Sequence, residues 1–175
     1  MAHPINARCS HRIESRSRNS KALLLPSGVH RGIRLPDTRC TRDPLHRAYF
    51  NGEALWTYLT TPFVFAMEGV QTEETSPWQE GKETWRVLRV YFPGSIETHC
   101  QVQDFFFDEE FKLRRHDYSV NIAGGFPAAQ LMLEYTAANG MHLPSKRRAY
   151  TRGPDRRPIL DMLMVSIDIS DVAFS

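Results

Sequence analysis

Cysteine is scarce in this chain: three in 175 residues, at Cys9, Cys40 and Cys100, with no Cys-x-x-Cys spacing. An odd count without ligand spacing excludes a disulfide framework and a structural zinc site, and it fits a reducing compartment. The expected location is the cytoplasm, and neither a cofactor nor a metal is expected. Seven histidines do not alter this, because no His-x-His or His-Glu-x-x-His pair occurs. Long apolar runs are missing too. The longest, Leu55 to Met67, holds three threonines and Pro62, so no transmembrane segment is predicted. Gly124-Gly125 leads into Phe126-Pro127 and not into a helix, and there is no Gly-x-Ser-x-Gly elbow or Walker pattern. Phosphate-loop and serine-hydrolase chemistry are therefore excluded.

Charge of one sign is unevenly spread. Residues 1–43 carry nine Lys/Arg against three Asp/Glu, whereas the remainder carries thirteen against seventeen, so the formal net charge of +2 conceals a basic tail and an acidic domain. Residues 1–42 are expected to be a solvated, disordered basic tail, with only a weak targeting character. Residues 43–175 are expected to form a single domain, which the ordinary 41% apolar and 24% charged content supports.

What is present is a series of strand signals. Asp43 and Pro44 suit a helix cap and first turn, and Leu45, Ala48, Tyr49, Gly52, Leu55, Trp56 and Leu59 recur at helical spacing until Thr60-Thr61-Pro62. From Val70 onward, apolar and β-branched runs alternate with turn residues. Strands are predicted near 70–76, 83–92, 99–107, 111–120, 129–138, 141–150 and 162–174. Asn139-Gly140 between two such runs is the strongest hairpin signal, since both central residues of a type I′ turn need positive φ. The expected fold is mainly β (α+β): a curved antiparallel half-barrel sheet of about seven strands with one amphipathic helix packed on its concave face. Its first strand would be an exposed edge, which predicts a homodimer contact, a missing partner strand or a truncated gene product.

The hairpin from His99 to Val120 is the most informative place for a site. A three-residue loop, Asp108 to Glu110, would pair Phe105 with Leu113, Gln103 with Arg115 and Gln101 with Asp117. One face would then carry His99, Gln101, Gln103, Arg115 and Asp117 beside Phe105, Phe107, Phe111 and Leu113, a pocket wall that is polar at one end and apolar at the other. His99 and Asp117 could serve as an acid–base pair with Arg115 steadying an oxyanion. The plainer alternative is that Arg115 and Asp117 satisfy each other and the glutamines in a partly buried network. Alternation separates Arg147 from Lys146 and Arg148, which makes Arg147 either a partner of Glu134 or an anion anchor for a ligand carboxylate or phosphate. Basic and aromatic residues are not interleaved on one face as a nucleic-acid surface requires, so no specific nucleic-acid partner is expected.

The segments RDPLHRAYFNGEALWTYLTTPF, QDFFFDEEFKLRRHDYSV, AGGFPAAQ and LPSKRRAYTR resemble a set of uncharacterised, mostly bacterial proteins. These are similar to lipoprotein-carrier half-barrels of the LolA/LppX type. The resemblance covers roughly residues 30–175 and implies an incomplete half-barrel that holds an apolar or amphipathic ligand. Two functions follow as expectations. The first is a module binding a small lipophilic molecule, with Phe105, Phe107, Phe111 and Leu113 as apolar wall, Gln103, Arg115 and Asp117 orienting a polar group, and Gln101 and Arg147 as further contacts. The second is a cofactor-free cyclase, isomerase or lyase that uses His99, Asp117 and Arg115.

Overall fold

A computed structural model describes residues 44–172; the expected basic tail, the Asp43 cap and the end of the expected last strand lie outside the described residues. Helix α1 spans Pro44–Thr60. Proline at its first position sacrifices only an amide that would be unpaired there. The Thr61 amide and hydroxyl both donate to Thr57 O, at 3.1 and 2.8 Å, and Pro62 stops the helix. The aromatic run that follows forms a 3₁₀ turn, Phe63–Ala66, despite its strand-like composition.

Seven strands follow in one antiparallel meander, in the order β1 to β7: β1 (Gln71–Glu80), β2 (Glu83–Tyr91), β3 (Val102–Phe107), β4 (Leu113–Val120), β5 (Phe126–Ala138), β6 (Met141–Arg152) and β7 (Pro158–Asp168). The sheet is not closed, so the mainly β architecture with one helix matches the sequence expectation. Asn139 at φ 50° and Gly140 at φ 79° make the expected tight turn, with Ala138 opposite Met141 and Met132 opposite Arg147. Among the described residues no strand pairs with the outer side of β1 or β7. β1 is guarded by Glu73, Glu74, Pro77 and a bulge between Thr75 and Trp78, whereas β7 exposes Leu160, Leu163 and Met164.

β3 starts three residues later than predicted. Thr98 Oγ1 donates to Cys100 O at 2.9 Å and Cys100 Sγ to Val102 O at 3.1 Å, and these local bonds turn the chain before the ladder begins. The Cys100 thiol is pushed up by burial, which suits a structural role and not a nucleophile.

The face covered by α1 holds the main core: Val64, Val90, Phe92, Phe105, Leu113 and Met132. A second cluster, Cys100, Tyr118, Val120 and Ala128, lies under Phe50 of the helix. On the other face Trp85, Val87 and Phe106 pack against Trp78. The helix buries Ala54, Thr57 and Tyr58, and Thr61 just beyond it is buried too, while Leu45, Tyr49 and Trp56 of the predicted stripe are exposed. Among the described residues no helix is long and apolar enough to cross a membrane.

Candidate functional site

The β3–β4 loop departs from its expected geometry. Asp108 Oδ1 accepts from Glu110 N at 3.1 Å and Lys112 N at 2.8 Å, and Phe111 adopts φ 59° to complete the turn. Beyond it, Phe107 pairs with Leu113 but Phe106 pairs with Arg115, so Arg114 is an extra, bulged residue. The ladder continues as Phe105 opposite His116 and Asp104 opposite Asp117. Because side chains alternate, this register exchanges the faces of every β4 residue past the bulge relative to β3.

The consequence is a correction. His99 and Asp117 do not meet, and the acid–base pair with Arg115 is not formed. Asp117 lies beside Asp104 on the face away from α1, where it accepts Arg115 Nε and Nη2 at 2.6 and 2.7 Å and Arg152 Nη1 at 2.8 Å. Arg115 also donates to Arg156 O, and its guanidinium stacks on Phe106 and Trp78 at 4.6 and 4.9 Å. Asp104 takes Arg89 at 2.8 Å and Arg156 at 3.4 Å. Arg156 and Arg157 lie over Trp78, each at 5.4 Å, which ties the β6–β7 loop to this face. It is a structural ion-pair network. Gln101 is likewise corrected: it precedes β3, is exposed, and lines no wall with Gln103.

The helix-covered face gathers different polar groups. His99 is stacked between Phe50 and Tyr118, at centroid distances of 4.9 and 4.8 Å, and its Nδ1 lies 3.5 Å from Glu53 Oε1. The Tyr58 and Tyr118 hydroxyls are 3.0 Å apart. Gln103 Nε2 donates to Cys100 O at 2.8 Å, which turns its Oε1 toward His116 Nε2 at 2.6 Å and makes that nitrogen the protonated one. Arg147 donates to Tyr58 O and Gln130 Oε1; Glu134, its expected partner, is taken by Lys146 because a bulge follows Met132. Glu53, Tyr58, His116 and Gln130 escaped the sequence reading, since nothing local marks which face of α1 or β4 is buried.

His116 is held well below the ordinary imidazole range, first by burial, then by the positive charge of Arg147 and by His99. A histidine depressed in the folded chain protonates more easily in the unfolded one. Its contribution to stability is complete above the unfolded value of about 6.5 and is lost as pH falls below it, by up to about 1.4 kcal/mol per pH unit for one proton. Urea unfolding between pH 7.5 and pH 5.5 should show this slope developing, and His116→Phe should flatten it by about half a proton averaged over that range. Equal slopes for the two proteins would contradict it.

At the β3–β4 end the chain leaves an open cleft of about 350 Å³. It is lined by Pro62, Phe65, Val87, Leu88, Phe107 and Phe111 together with the charged pair Glu74 and Arg86. These two charges neutralise each other through two 2.8 Å bonds, and the Arg86 guanidinium covers the Phe111 ring at 5.2 Å. Phe65 continues inward onto Phe105 at 4.7 Å, and Phe105 lies flat on His116 at 4.2 Å. Of the predicted apolar wall, Phe107 and Phe111 line this cleft, while Phe105 and Leu113 are core behind it. Compared with known proteins, the chain matches no family model, no curated protein and no solved structure.

Proposed function

We propose that this protein binds a lipophilic or amphipathic small molecule, with the apolar part in the cleft between Phe65, Phe107 and Phe111. The observation that carries the reading is Phe111. It is 68% exposed and sits at φ 59°, a conformation that costs an L-residue about 1–2 kcal/mol and favours glycine or asparagine. A large aromatic ring there gains little in folding, so strain and exposure together point to contact with something else. The cleft volume lies within the range of small-molecule sites, about 300–1,000 Å³, and its lining is apolar with one charged pair. The acid–base alternative has no such support, because its pair is split between two faces.

Phe111→Asn tests this. Asparagine tolerates the left-handed backbone, so stability should change by less than about 1 kcal/mol. Affinity for an alkyl probe such as 1-decanol, measured by calorimetry, should fall about tenfold or more because the ring no longer shields the chain from water. Unchanged affinity would remove the cleft from consideration.

A further inference from the structure

Four arginines in this protein can be compared edge by edge. Arg86, Arg89 and Arg115 each use Nε and Nη2 together to hold a carboxylate, on Glu74, Asp104 and Asp117. Arg147 offers the same edge to something else. Its Nη2 donates to Tyr58 O at 2.9 Å, and its Nε has no hydrogen-bond partner. Nη1 is occupied by Gln130 Oε1 at 3.1 Å, and the flat of the guanidinium lies on the Tyr58 ring at 4.7 Å. The side chain is 1% exposed, and among the described residues no carboxylate lies within ion-pair distance of it. Burial pulls its pKa to about 10, which still leaves it charged at neutral pH.

A fully buried guanidinium is ordinarily paired, because desolvation of the charge is not offset otherwise. Tyr58 O belongs to the last turn of α1, where unpaired carbonyls carry partial negative charge, so the present contact is a weak substitute for an anion. A carboxylate would occupy both Nε and Nη2 through charge-assisted bonds, roughly twice as strong as neutral ones.

The position of Arg147 identifies the rest of the ligand. It stands opposite Met132, which packs in one cluster with Phe105 and Leu113, and Phe65 joins that cluster while lining the cleft. Arg147 and the cleft therefore border the same apolar cluster. We infer that Arg147 receives the head group of a single-chain monocarboxylate whose alkyl tail runs beneath the Tyr58–Phe65 segment into the cleft. The inference rests on the cleft reading and adds the chemical class of the ligand. Seating the carboxylate displaces Tyr58 O from Nη2, so the last turn of α1 lifts as the ligand enters and its free carbonyl turns to water.

Calorimetry of the full chain with decanoate, 1-decanol and acetate separates the possibilities. The expected result is decanoate binding at least about tenfold tighter than decanol, no measurable acetate binding, loss of the preference in Arg147→Met and its retention in Arg148→Gln, a residue paired with Asp168 away from the cleft. Equal affinity for decanoate and decanol would overturn the head-group assignment while leaving the cleft reading intact. Binding of neither would overturn both. A preference that survives Arg147→Met, or that disappears with Arg148→Gln, would place the anion elsewhere. Acetate binding as tightly as decanoate would overturn the single-chain amphiphile. The wild-type comparison of the three probes stands even if Arg147→Met fails to fold.

Discussion

Asp117→Ala is expected to cost about 3–5 kcal/mol of folding stability, which would unfold many domains of this size. The carboxylate is nearly inaccessible and receives three arginine hydrogen bonds, from Arg115 Nε, Arg115 Nη2 and Arg152 Nη1. Removing it leaves Arg115, fully buried between Phe106 and Trp78, as an uncompensated charge. Arg152 is partly exposed and can turn to solvent, so the damage concentrates on Arg115. Removing both partners is a different matter. Arg115→Met with Asp117→Leu trades a desolvated pair for apolar contacts of similar volume and should recover most of the loss. Chemical denaturation of the wild type, the single variant and the double variant measures both effects. A double variant no more stable than Asp117→Ala would contradict the view that the pair serves the fold and not a reaction.

Phe105→Ala is expected to cost a similar amount, about 3–5 kcal/mol. The ring is 1% exposed and has a partner on each side, stacked on His116 at an interplanar angle of 12° and edge-on to Phe65. Its loss removes apolar burial and opens a cavity that its neighbours, fixed on separate elements, fill only in part. The effect should reach beyond stability. Phe65 would lose its support and its side of the cleft would loosen, so decanol affinity should fall as well. Phe105→Leu, which keeps most of the volume, should recover a large part of both. Denaturation and calorimetry on the two variants provide the check.

The sequence was most legible where backbone chemistry is local. Pro44 and Thr60-Thr61-Pro62 bracket α1 within a residue, and Asn139-Gly140 sets its hairpin register correctly because positive φ admits few residue types. Register beyond a bulge was not legible. Arg114 bears no mark that makes it the extra residue, yet its insertion moves Arg115 and Asp117 to one face and His116 to the other. The helix face was misread for a related reason. Thr57 and Thr61 look polar but return their hydroxyls to Glu53 O and Thr57 O, which lets them sit in the interface while Leu45 and Trp56 face outward. Alternation and residue type alone put Phe107, Phe111 and Arg147 among the candidates. Their neighbours Pro62, Phe65 and Leu88 come from other elements that only the tertiary fold brings together.

Amide chemical-shift mapping of the full chain with 1-decanol tests the proposed binding site most directly. Saturable shifts should cluster at Phe65, Leu88, Phe107 and Phe111, and they should be weakened in Phe111→Asn. An absence of saturable shifts, or shifts centred on Trp78 and Trp85 on the opposite face, would contradict it.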